Sequence, residues 1–158
     1  MNIERTAEGG LTWRISEADK RTLERTFEGY PAIPASYHRV SKRQEAPAAG
    51  DGQVLLEEAL AEQKRESRQA LDRLWKQRLR AVTLGDGGGY VWTLNPTEVE
   101  CVLQILNDIR VGNWIQLGSP GLGAEWKPKL SLDTARQLRT MEVCGGVQTL
   151  VLKALAGR

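Results

Sequence analysis

Apolar positions recur along this chain in two rhythms, and the places where the rhythm changes mark its elements. Leu11, Trp13 and Ile15 alternate with Thr12, Arg14 and Ser16, the period-2 signature of a strand with one buried face. Ile3 and Thr6 precede them across the turn Glu8-Gly9-Gly10, so residues 2–6 and 11–15 read as a β-hairpin. At Ser16 the period lengthens. Ser16 is an N-cap with Asp19 three residues on, and Leu23 and Phe27 are the apolar side of a polar helix that ends near Glu28-Gly29. Residues 30–53 keep no period and contain Pro31, Pro34, Pro47, Gly50 and Gly52; they read as a loop. Loops of that length inside a domain tend to be functional or disordered.

Helical spacing returns over residues 53–80 with Leu56, Leu60, Leu71, Leu74 and Trp75. Glu57, Glu58 and Glu62 crowd the start of this helix, and Arg73, Lys76, Arg78 and Arg80 its end, which complements the macrodipole. Gln63, Ser67 and Ala70 thin its inward row, so its middle is weakly buried or packs on small neighbours. A second hairpin follows over residues 81–94, with the glycine run Gly85-Asp86-Gly87-Gly88-Gly89 as its turn. Asn95 then caps a helix with Pro96 at its first position and Glu98 completing a capping box. From Pro96 to about Leu117 the arc Val99, Val102, Leu103, Leu106, Ile109 is widened by Cys101, Ile105 and Ile115, which predicts a helix buried on most sides. Gly112 within it permits close packing or a kink. After a loop over 118–130, a last helix spans residues 132–156 and is interrupted or thinned at Gly145-Gly146.

The two hairpins echo each other. Displaced by 79 positions, Trp13 falls on Trp92, Ile15 on Leu94, the cap Ser16 on Asn95, Asp19 on Glu98, Leu23 on Val102 and Phe27 on Leu106. Units near 2–28 and 81–118 are thus the same hairpin–helix device, by duplication or by the chemistry any hairpin feeding a capped helix requires. The fold class that follows is α+β and mainly helical: two β-hairpins form a small antiparallel sheet, with four helices packed on it, in a single domain over 1–158.

Composition narrows the function classes. At 158 residues the chain can bury roughly 70% of its unfolded surface. Twenty-two Lys+Arg against 20 Asp+Glu leave no global field for nucleic acid or anionic lipid. Cys101 and Cys144 look like small buried apolar residues, and so low a count suits a reducing compartment. No apolar leader opens the chain and no run approaches the length of a membrane span, so a cytoplasmic protein of bacterial style is expected.

The candidate chemistry is sparse. The glycine run lacks the Lys-Ser/Thr of a phosphate loop and precedes a strand, so it is a turn. Asn107, Asp108 and Arg110 interrupt the most apolar helix, and Glu142 lies between Met141 and Val143 in the last one. A buried charge requires a partner, and breaking such a pair costs about 3–5 kcal/mol. The expected pairs are Arg110 with Glu142, or Asp108 with Arg136 or Arg139. The functional counterpart is a carboxylate site at Asp108 and Glu142; no histidine accompanies it, which disfavours zinc or di-iron, and nothing in the spacing argues for magnesium. No residue set calls for a cofactor. His38, the single histidine, has no Gly-x-Ser-x-Gly elbow to serve. With Tyr37, Arg39, Lys42 and Arg43 it makes a charged loop that is solvated or binds a phosphate or an acidic peptide. Arg73, Lys76 and Arg80, with Trp75, form the second candidate surface, for nucleic acid or for protein.

The segment Leu106-Asn107-Asp108-Ile109-Arg110, followed by Trp114-Ile115-Gln116-Leu117-Gly118, resembles an uncharacterised bacterial domain-of-unknown-function family of small, mainly helical proteins. The resemblance covers roughly the last 65 residues. Some relatives sit beside genes for a protease adaptor, which implies a regulatory or adaptor role, and the family offers no catalytic residues to carry over. The expectation is a non-enzymatic regulatory or protein-interaction module that binds a protein partner or self-associates as a homodimer. The alternatives are nucleic-acid binding through Arg73–Arg80 and the Tyr37–Arg43 loop, and an enzyme using Asp108 and Glu142.

Overall fold

A computed structural model describes residues 1–37, 48–84, 87–119 and 131–157. The first hairpin is β1 (Asn2–Arg5) and β2 (Leu11–Ser16), turned at Gly9, whose φ of 84° lies in the left-handed region that glycine tolerates. Helix α1 (Glu17–Glu28) starts directly from β2. Ser16 accepts from the Asp19 amide and Asp19 reaches back to the Ser16 amide, the capping box in full. A short 3₁₀ turn (Ala35–Tyr37) follows the cis Tyr30–Pro31 bond.

Helix α2 (Ala48–Arg78) is longer than the sequence rhythm indicates, beginning five residues before residue 53 despite Gly50 and Gly52. It runs straight into β3 (Leu79–Leu84), which pairs with β4 (Gly87–Leu94). Gly87, Gly88 and Gly89 therefore belong to a strand, paired with Leu84, Thr83 and Val82, rather than to the turn; Gly85 and Asp86 lie outside the described residues. Helix α3 (Pro96–Gln116) repeats the capping box with Asn95 and Glu98. Helix α4 (Leu132–Leu155) is continuous through Gly145-Gly146, because apolar residues on both sides anchor the same buried stripe: Cys144, Val147 and Val151. Among the described residues no helix is long and apolar enough to cross a membrane.

The four strands form one antiparallel sheet in the order β1-β2-β4-β3, so the hairpins meet through β2 and β4. Along that seam Trp13 stands opposite Trp92, Leu11 opposite Leu94 and Ile15 opposite Tyr90. Since Trp92 is also the counterpart of Trp13 at an offset of 79, the β2–β4 register is symmetric about the tryptophan pair, with Leu11 on Leu94 and Ile15 on Tyr90. The repeat extends past the first helix of each unit: two strands and two helices are followed by two strands and two helices. All four helices pack on the sheet face that carries Ile3, Leu11, Trp13, Ile15, Trp92 and Leu94, all buried. The opposite face presents Glu4, Arg14, Thr93 and Arg80 to solvent. Among the described aromatic residues, Trp13, Trp92, Trp75 and Phe27 gather on the seam. Trp13–Trp92, Trp75–Trp92 and Phe27–Trp75 meet edge to face, with centroids 5.2, 5.0 and 5.5 Å apart.

Candidate functional site

The polar residues that interrupt α3 separate onto different faces. Residues two apart on a helix point about 200° away from each other. Asp108 therefore turns toward α2, while Arg110 is exposed and donates from Nη1 to Gln148 Oε1 at 3.3 Å. Asn107 is exposed as well. Glu142 is exposed on α4, with no ion pair among the described residues. The expected pairs, Arg110 with Glu142 and Asp108 with Arg136 or Arg139, are replaced by others. The partner of Asp108 comes instead from α2 and from the segment after α1.

Asp108 is a clasp. Its Oδ1 accepts from the amides of Ala32 at 2.7 Å and Ile33 at 3.2 Å, and its Oδ2 takes Lys64 Nζ at 2.5 Å. Lys64 donates again to the Ile33 carbonyl at 2.6 Å. Both side chains are only 13% exposed, so this is a part-buried pair in which the carboxylate accepts three hydrogen bonds and the ammonium donates two. One turn along α2, Arg68 Nη1 donates to the carbonyls of Phe27 at 2.8 Å and Tyr30 at 3.3 Å. Three elements, α2, α3 and the 27–33 segment, are thereby tied by polar contacts. This is why the middle of α2 is thin in apolar residues: its inward row carries Lys64 and Arg68, which reach across. Close approach of α3 permits it, since Gly112 lies against the backbone of Ala32.

Neither cysteine is positioned for nucleophilic chemistry. Both are free. Burial pushes the Cys144 thiol up to about 12, only partly offset by Arg110, and burial also raises Cys101. Elsewhere Tyr90 donates to Glu17 at 2.7 Å, a bond that raises the tyrosine and lowers the carboxyl, and it ties β4 to α1. No three His, Cys, Asp or Glu side chains gather as a metal-holding group among the described residues.

The second sequence-level surface is dispersed. Tyr37 is half exposed in the 3₁₀ turn, and His38, Arg39, Lys42 and Arg43 lie outside the described residues. Arg73 and Lys76 point outward from α2, whereas Arg80 is on the open sheet face beside Val91. Trp75 is packed against Phe27 and Trp92 and donates to Glu24 at 3.1 Å, so it is not a base-stacking platform.

Two features escaped the sequence reading. Lys64 is one; its signal was a lysine four residues after Leu60 and seven before Leu71, on the apolar stripe. The other is that part of the acidic start and basic end of this helix falls on one exposed stripe on the far side of α2. Asp51, Leu55, Glu58, Glu62, Arg65, Gln69, Arg73 and Lys76 share one face and are all exposed, with Leu55 at 66%. The stripe is acidic in its first half and basic in its second.

Compared with protein-family models, curated proteins and solved structures, the chain matches none.

Proposed function

We propose that the chain is a cytoplasmic regulatory module that acts by association rather than catalysis, and that its first partner is a second copy of itself. The observation that carries this is the outward stripe of α2. Charge along it is antisymmetric: Asp51, Glu58 and Glu62 precede Arg65, Arg73 and Lys76. Laid antiparallel across a two-fold axis, such a stripe is its own complement. With the axis near Gln63 and Lys64, Asp51 stands opposite Lys76 of the second copy and Glu62 opposite its Arg65. Leu55 then lies along the aliphatic stem of Arg73. Arg65 and Glu62 already pair within one chain, so the centre becomes a four-charge network, the arrangement in which surface ion pairs contribute most. Arg73, Lys76 and Glu58 have no ion-pair partner among the described residues and are available for it. Helix α2 is 31 residues, about 46 Å, long enough to hold such a contact. The clasp at Lys64 and Asp108 fixes the helix from behind and leaves the stripe outward.

The expected behaviour is a dimer by sedimentation equilibrium at low salt that dissociates near 1 M salt, where the screening length falls to about 3 Å. Glu58→Lys with Glu62→Lys gives a monomer, and so does Arg65→Glu with Arg73→Glu. Mixing the two variants restores a heterodimer. A wild-type chain that stays monomeric at low salt, or variants that dimerise as well as wild type, would remove the reading.

A further inference from the structure

A second group of charges has no counterpart in the self-association stripe. Between α1 and α4 lies a groove of about 210 Å³ lined by Thr22, Arg25, Thr26, Arg136, Arg139 and Thr140, with Val143. Residues 22, 25 and 26 share one face of α1, and 136, 139, 140 and 143 share one face of α4, so the two helices bring three arginines to the lining of one cleft. None of the three arginines has a carboxylate or other side-chain partner among the described residues, and no carboxylate lines the groove. Elsewhere on the surface Arg21 pairs with Glu17, Arg68 with Asp72 and Arg78 with Glu98, while Arg73 and Arg80, like the groove arginines, have no ion pair among the described residues. Three like charges converging on one concavity repel unless an anion joins them. The threonine hydroxyls do not compete for it as donors. Thr22, Thr26 and Thr140 each donate to a carbonyl four residues back, which leaves the arginines as the donors.

The groove opens into a larger cavity of about 460 Å³ that shares Arg25, Thr26, Arg136 and Thr140. Its further walls are different in kind: the amides Asn113, Gln116 and Gln137, with Glu28 and Asp133. Carboxylates and amides accept hydrogen bonds from hydroxyl groups. We infer that this double cavity binds a small phosphate monoester with a hydroxyl-rich body, the phosphoryl group held by Arg25, Arg136 and Arg139 and the body lying against the amides. Guanidinium forks match phosphoryl oxygens in geometry as well as charge. A sugar phosphate is the simplest member of the class. Occupancy bridges α1 to α4, and so links the first half of the chain to the second.

The test is isothermal titration of the full chain in low-ionic-strength buffer with glucose 6-phosphate, inorganic phosphate and glucose. Saturable binding of one equivalent of the ester is expected, weaker binding of inorganic phosphate, and none of glucose. Arg136→Ala with Arg139→Ala weakens the ester at least about tenfold, the scale of one lost charge-assisted contact, as does Arg25→Ala. Arg14→Ala, on the open sheet face, leaves it unchanged, and circular dichroism checks that each variant is folded. Absence of saturable ester binding overturns the assignment, as does equal binding by the double variant, or a loss of the same size in Arg14→Ala. Dimerisation is read separately by sedimentation, so either reading can fail alone.

Discussion

Asp108 engages three donors from two elements with two oxygens, and its removal frees all of them together. Asp108→Ala leaves the Lys64 ammonium in a part-buried place without its counter-charge, and strands the amides of Ala32 and Ile33. The expected cost is about 3 kcal/mol, measured by chemical denaturation. Asp108→Asn keeps an acceptor for the two amides and costs less. Glu142→Ala, at an exposed position, changes stability by no more than about 0.5 kcal/mol. An Asp108→Ala chain as stable as the Glu142→Ala chain would show that the clasp holds nothing. The sequence marks Asp108 as a charge in need of a partner, since it interrupts an apolar stripe. It does not choose the partner, because that depends on where the chain leaving α1 lays its amides.

Glycines separate local rhythm from contact at the scale of elements. Gly112 in α3 meets Ala32: a Cβ there would stand 2.7 Å from the Ala32 carbonyl carbon, and backbone cannot step aside cheaply. Gly146 in α4 has open space around it. The two alanine substitutions therefore carry opposite signs. Gly112→Ala destabilises by about 1–3 kcal/mol through overpacking, whereas Gly146→Ala stabilises by up to about 1 kcal/mol through helix propensity. Thermal melts of the two variants decide it, and a Gly112→Ala chain that melts above wild type would refute the close approach. Both positions look alike in sequence, as glycines in apolar helices. Only the neighbour distinguishes them. The same holds for α2, whose apolar spacing is legible from Leu56 onward but whose start at Ala48 is not, since Gly50 and Gly52 argue locally against helix.

For the whole molecule the tryptophan seam between β2 and β4 is decisive, because it joins the two halves. Its members are not equivalent. Trp92 Nε1 donates to the Leu74 carbonyl at 3.2 Å, whereas buried Trp13 Nε1 finds no partner among the described residues. Trp92→Phe is expected to cost about 1 kcal/mol more than Trp13→Phe, the net worth of one such bond. Both variants should unfold in a single transition, with fluorescence and circular dichroism coincident, because neither half buries its tryptophan alone. Equal losses, or two transitions, would contradict this. The sequence by itself determined the capping boxes at Ser16 and Asn95, the first hairpin, the apolar stripe of α3 and the echo at 79 residues, whereas the burial of α3 on most sides that it predicts is limited in the structure to one stripe, with Glu100, Gln104, Asn107 and Arg110 exposed. Each of these is set by neighbours within a few positions, or by a repeat of them. Tertiary structure alone decided that Trp13 meets Trp92, that Lys64 answers Asp108, and that Arg25 faces Arg136 and Arg139 across a groove. These juxtapositions join residues far apart in the chain, where turn preference and helical period have no reach and only the packing of helices on a shared sheet brings the side chains together.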